Sequence, residues 1–170
     1  MTYKNKTYIA FDADKDMHWY RLLRAWKENE SFVFDMHDAH EIKSDPNKQG
    51  EQNIKRDLKE RFKSTKQFIL LVGESTKNKF QYVRWEIEQA IINDIPIIVI
   101  NLNNNKKVDQ NLCPAIIRDQ LSIHISFKYK IIKYAVDNWP ENHRKHRLQD
   151  ENDAYHYSSE IYRELKVFND

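Results

Sequence analysis

The constraint that governs this chain is the run Phe68-Ile69-Leu70-Leu71-Val72, which contains no polar residue and ends at Gly73. A strand apolar on both faces has to be covered on both, as in a parallel sheet with helices above and below it. A polar loop follows, and then the period changes: Phe80, Val83, Ile87, Ala90 and Ile91 fall at helical spacing. Residues 95–100 give a second apolar strand, with Pro96 at its start, where a missing N–H is tolerated. Strand, loop, helix and strand make one crossover unit. It carries a carboxylate, Glu86, near the loop end of its helix, between Trp85 and Ile87.

The rest of the chain repeats this alternation. Residues 7–11 read as a first strand, followed by the acidic turn Asp12-Ala13-Asp14-Lys15-Asp16. Residues 17–28 read as a helix with Trp19, Leu22, Leu23 and Trp26 on one face and Asp16 as its N-cap. Residues 32–36 make a second strand whose weaker alternation suits a sheet edge. Residues 37–50 read as a long polar connection without structure of its own, a length that often carries function. A helix over 51–64 places Ile54, Leu58 and Phe62 on one face. Beyond the central unit come a short helical turn at 114–119, a strand at 121–125 and a helix at 128–139 closed by Pro140. Residues 141–153 are charged and lack periodicity, which reads as a linker. Tyr157, Ile161, Leu165 and Phe168 then share one face of a terminal helix.

Alternating strands and helices predict an α/β domain over residues 1–140: a flavodoxin-like three-layer sandwich with a five-stranded parallel sheet of order 2-1-3-4-5. Residues 141–170 are then a C-terminal helical extension of charged linker and amphipathic helix. Such sheets bind ligands beyond the carboxyl ends of their strands, at the switch between strands 1 and 3. The acidic turn at 12–16 and the loop feeding the helix of Glu86 meet there.

Composition removes several chemistries. Gly50 and Gly73 are the two glycines, so neither a P-loop nor a dinucleotide-binding fingerprint is present. Cys113 is the one cysteine, which excludes an internal disulfide and a cysteine metal cluster and fits a reducing compartment. It is most simply a small apolar residue. Net charge is +2, and no block of like charge argues for nucleic acid or a membrane surface. The first residues lack a signal-peptide core, and no apolar stretch approaches the roughly 20 residues that span a bilayer. The expectation is a soluble, cytoplasmic protein. An EF-hand reading of Asp12, Asp14 and Asp16 fails because Met17 and Leu23 stand where glycine and glutamate are required. The acidic turn would repel a flavin phosphate. A receiver domain would need an aspartate where Val72-Gly73-Glu74-Ser75 stands.

Four pieces carry a resemblance. They are Tyr8-Ile9-Ala10-Phe11-Asp12-Ala13-Asp14-Lys15-Asp16 with Trp19-Tyr20, and Leu23-Arg24-Ala25-Trp26 leading to Phe32-Val33-Phe34-Asp35. The others are Ile69-Leu70-Leu71-Val72-Gly73-Glu74-Ser75-Thr76, and Val83-Arg84-Trp85-Glu86-Ile87-Glu88-Gln89-Ala90 running into Ile95-Pro96-Ile97-Ile98. Together they resemble the TIR-like domains of the ThsB family of Thoeris anti-phage defence, and TIR domains more broadly, over about residues 5–102. The resemblance implies an enzyme that cleaves the nicotinamide–ribose bond of NAD, with NAD as substrate and no cofactor or metal. Its catalytic glutamate falls on Glu86. It also implies self-assembly through the domain and an effector partner reached through a nucleotide product or by direct contact. Many TIR domains act only as adaptors.

One carboxylate suffices for such a reaction. Nicotinamide is a cationic group that leaves neutral, so the general acid of an ordinary glycosidase is not needed. What remains is an oxocarbenium-like ribose that a carboxylate can stabilise. Phe11, Trp19 and Trp85 are the stacking candidates, and Asp12 and Asp14 are candidates to hold ribose hydroxyls or nicotinamide. His37, Asp38, His40 and Ser44 could form a lid over the site. Simpler readings stand beside these. The three aspartates suit turns and caps, Trp19 and Trp26 suit a core, and His124 suits a structural place in a strand. His143 and His146 suit a solvated linker better than a metal pair without a third ligand. Two other functions remain open: a non-catalytic interaction module docking through its terminal helix, and a metal-dependent nuclease or phosphatase using Asp12 and Asp14.

Overall fold

The computed structural model describes residues 5–28, 34–36, 39–45 and 50–168. In chain order the elements are β1 (Asn5–Ala10), α1 (Met17–Glu28), β2 (Phe34–Met36), α2 (Ala39–Ser44), α3 (Glu51–Ser64), β3 (Gln67–Val72) and α4 (Val83–Ile92). There follow β4 (Ile97–Asn101), α5 (Ala115–Arg118), β5 (Ser122–Ser126), α6 (Tyr129–Leu148), β6 (Ala154–His156) and α7 (Ser159–Glu164). All pairings are parallel, in the order β2-β1-β3-β4-β5-β6. The expected order of five strands is present, and β6 extends it beyond β5, with Ser122 opposite Ala154 and His124 opposite His156.

Alternation along the strands builds the three layers. Ile9, Phe11, Ile69, Leu71, Ile98, Ile100, Ile123 and Ile125 face α1 and α6. Tyr8, Ala10, Phe68, Leu70, Val72, Ile97 and Val99 face α3, α4 and α5. All six residues of β3 are buried, as a strand covered on both faces must be. No helix among the described residues is long and apolar enough to cross a membrane.

Three expectations about the fold need correction. The connection after β2 is not structureless: it contains α2, held because Ala39 is buried and Ile42 packs against the α3–α4 side of the core. Of expected strand 32–36, residues 32 and 33 lie outside the described residues. The charged stretch after Pro140 is not a linker, because α6 runs unbroken for 20 residues with Pro140 inside it. A proline removes one helical hydrogen bond, but Trp139 and His143 are buried on the same face on either side of it, and their packing carries the helix through. His143 Nε2 sits 3.1 Å from Asp94 Oδ1, which also accepts from Arg147 Nε at 2.7 Å. His146 faces Glu151 and Tyr155 instead, so the two histidines do not form a pair.

The third correction concerns the terminal helix, which is only six residues long. Ser158 Oγ accepts the Ile161 N–H at 3.3 Å and so starts the helix after Tyr157. That shift of phase turns Tyr162 into the core at 2% exposed and leaves Phe168 68% exposed. The face expected from Tyr157, Ile161, Leu165 and Phe168 is therefore not one helical face. The Tyr162 hydroxyl accepts the Ser126 N–H, which ties α7 to the end of β5.

Candidate functional site

The sheet order puts the carboxyl ends of β1 and β3 side by side, Ala10 opposite Leu70. After Val72 the chain turns sharply. The Gly73 N–H donates to Thr76 Oγ1 at 2.9 Å, and a 3-10 turn at Thr76–Asn78 leads toward α4. Helix α4 buries Val83, Glu86, Ile87 and Ala90, the i, i+3, i+4, i+7 stripe of an amphipathic helix with a carboxylate inside it. Phe80, expected on that stripe, precedes the helix and is exposed. The Glu86 side chain is 0% exposed.

Two groups meet that carboxylate. Lys43 Nζ, from α2, donates to Oε1 at 3.2 Å and to Oε2 at 3.4 Å. The same ammonium lies 5.9 Å from the centroid of the Tyr82 ring. Tyr8, in β1, is buried against it from the sheet side. Burial, and then the charge of Glu86, raise the Tyr8 phenol well above its ordinary pKa and keep its proton on. Tyr8 is also stacked on Phe62, with ring centroids 4.2 Å apart.

Beside this cluster opens a hollow of about 710 Å³, a volume suited to a small organic ligand. Phe11, Asp12, Asp14, His40, Lys43, Ser44, Lys79 and Tyr82 are among the residues that line it. Phe11 closes it from the core, stacked on Tyr20 at 4.5 Å. Asp12 is buried, and its acceptors are engaged. Oδ2 takes the Ser75 hydroxyl at 2.6 Å, and Oδ1 takes the Asp14 N–H at 3.0 Å with Lys79 Nζ at 3.3 Å. Burial alone would raise its pKa, but Ser75, the Asp14 N–H and Lys79 together bring it below the ordinary carboxylate value. Lys79 also holds Asp14 Oδ2, at 2.5 Å.

The expected site residues divide. Glu86, Phe11, Asp12, Asp14, His40 and Ser44 come together at the switch point. Trp85 does not. It lies on the α3 side, edge-on to Phe62 and under the Lys55 ammonium at 5.4 Å, because its position on α4 points away from the hollow. Trp19 packs edge-on to Phe127 and borders a separate hollow with Asp16 and Gly73. His37 and Asp38 lie outside the described residues. Asp16 accepts the Trp19 N–H with its backbone carbonyl, but its side chain does not cap α1. Oδ2 is instead buried against Gly73 without a hydrogen-bond partner. Burial, and then the charge of Asp12, raise the Asp16 pKa.

Sequence reasoning missed Tyr8, Lys43, Ser75, Lys79 and Tyr82. Tyr8 carries a signal, a polar tip alternating with Ala10 on a strand face that meets α4. Lys43 carries a weaker one, standing four residues after Ala39 on a helix hidden in a polar stretch. For Lys79 no local signal exists, since its partners arrive from β1's loop. A family model described as Thoeris protein ThsB, TIR-like domain, matches residues 8–107, a span that contains Tyr8, Lys43, Glu86 and the lining of the hollow.

Proposed function

The chain belongs to the TIR-like domain family of the Thoeris protein ThsB, and from that membership we propose that it cleaves the nicotinamide–ribose bond of NAD with Glu86 as the catalytic carboxylate. The observation that carries this reading is a carboxylate on the apolar stripe of α4, fully buried, beside a hollow at the switch point of the sheet. Selection for stability alone does not favour a charge there.

In this mechanism the electron pair of the C–N bond leaves with nicotinamide, which departs neutral. Positive charge develops on the ribose C1′ and its ring oxygen. Glu86 stabilises that charge and holds the ribose hydroxyls, in a setting where burial strengthens the interaction. Tyr8, its proton held on, keeps the sheet side of the carboxylate neutral. Phe11 walls the hollow, and Asp12, fixed by Ser75 and Lys79, shapes its polar side. Water, or a nucleophile on the ADP-ribose itself, then takes C1′ and gives a linear or cyclic product. In Thoeris defence that product would signal to a partner effector.

The test is nicotinamide release from NAD by purified protein, alone and assembled, beside Glu86→Gln. Loss of about 100-fold or more in rate is expected for the variant, the scale of a removed electrostatic stabiliser. A specific observation favours a second reading, that of a non-catalytic interaction module. Glu86 is already paired with Lys43 and closed to solvent, as a structural ion pair would be. Assembled wild-type protein that releases no nicotinamide would establish that one.

A further inference from the structure

Glu86 does not face the hollow directly. Its side chain is 0% exposed, whereas Lys43 is 11% exposed and lines the hollow, with its ammonium on both carboxylate oxygens. The ammonium thus stands between the carboxylate and the space a substrate would enter. Tyr82, which also lines that space, flanks it. We propose that Lys43 is a displaceable internal counter-ion, which neutralises Glu86 in the resting protein and yields only to a ligand that brings its own positive charge at the reacting end. The proposal rests on the reading of Glu86 given above.

The argument is one of charge balance. A carboxylate with no solvent exposure cannot be left without a partner except at large cost. A neutral ligand entering the hollow either leaves Lys43 in place and never touches Glu86, or expels it and strands the carboxylate. A pyridinium-bearing ligand replaces the ammonium charge for charge. Lysine suits the task better than arginine, because it is a point charge on a flexible four-carbon stem rather than a rigid fork that would bind the carboxylate bidentately. Its helix suits it too. Described contacts of α2 with the core run through Ala39 and Ile42, and its last residue, Ser44, is exposed. The Lys43 side chain is itself partly exposed where it lines the hollow, which gives it an outlet toward solvent.

Chemical acetylation read by mass spectrometry tests this without relying on turnover. In ligand-free wild type, Lys43 is expected to label at least about 10-fold more slowly than Lys63, whose side chain is 72% exposed. Glu86→Gln should remove most of that protection. Equal rates in the wild type would overturn the proposal. NAD should raise Lys43 labelling, and its reduced form, neutral at the ring, should not. If wild type releases nicotinamide while NAD leaves Lys43 protected, the counter-ion proposal falls and the catalytic reading stands. If no protein releases nicotinamide while NAD still raises Lys43 labelling, the catalytic reading falls and the counter-ion proposal stands. Lys43→Met should lower the NAD concentration needed for half-maximal nicotinamide release by about 10-fold, since the competing internal cation is gone. Lys43→Gln, which keeps a hydrogen-bond donor, serves as the second variant should the first unfold. A lower rate at limiting NAD in a folded variant would overturn the proposal.

Discussion

The Asp16 carboxylate rests on the backbone of Gly73, so closely that a Cβ at that glycine would come within 2.4 Å of Oδ2 and 2.8 Å of Oδ1. Gly73 is therefore required by a close approach, where the end of β3 meets the turn that opens α1. The displaced group would be a buried carboxylate on a short side chain, with little room to turn away. Gly73→Ala is expected to cost about 1–3 kcal/mol, the scale of overpacking a filled site. Denaturant unfolding measures it. Adding Asp16→Ala should recover part of the loss. A double variant no more stable than Gly73→Ala alone would refute the steric account.

How legible the site was follows from which contacts are local. The apolar runs at β3 and β4 and the change of period into α4 carry the sheet order and the place of Glu86. A glutamate in step with Val83, Ile87 and Ala90 is visible in one helical turn. The partners of Glu86 are not. Lys43 is 43 residues away in sequence and reaches it only because α2 folds onto the core. Trp85 illustrates the opposite failure: adjacency to Glu86 along the chain places it on a different side of α4. At the far edge, β6 is too short to show alternation, and Pro140 reads as a stop because the buried faces of Trp139 and His143 are tertiary facts.

His124 gives the fold a pH dependence. It is fully buried in β5, its Nε2 3.0 Å from Ser122 Oγ, with His156 opposite in register. Burial, then the charge of His156, push its pKa from 6.5 down to about 4. The unfolded chain takes up the proton near 6.5 and the folded one only near 4. Its contribution is thus complete above pH 6.5 and is lost as pH falls from there toward 4. At about 1.36 kcal/mol per pH unit the loss approaches about 3 kcal/mol. Urea unfolding at pH 7.5 and pH 5 should show a smaller decline for His124→Asn than for wild type. Parallel declines would dismiss His124 as the cause.

The C-terminal segment offers a contrast between two aromatic residues. Tyr162 is buried and bonded to the Ser126 N–H, whereas Phe168 projects into solvent. Tyr162→Ala should cost about 3–5 kcal/mol, as for other large buried aromatic residues. Phe168→Ala should fall within about 0.5 kcal/mol of wild type. Thermal melts of the two variants decide the matter. Equal losses would mean that both side chains pack, as a single amphipathic face would require.

Tyr8 separates structure from chemistry at the site. Its ring is stacked on Phe62 and Phe68, and its hydroxyl lies against Glu86. Tyr8→Phe keeps the rings and removes a buried hydroxyl that feels the charge of Glu86, which should cost about 1 kcal/mol. Tyr8→Leu also loses the stacking and should be less stable still. In double-variant cycles with Glu86→Gln the effect of Tyr8→Phe should shrink, since the charge that the phenol serves is gone. Additive losses across that cycle would place the Tyr8 hydroxyl outside the influence of Glu86.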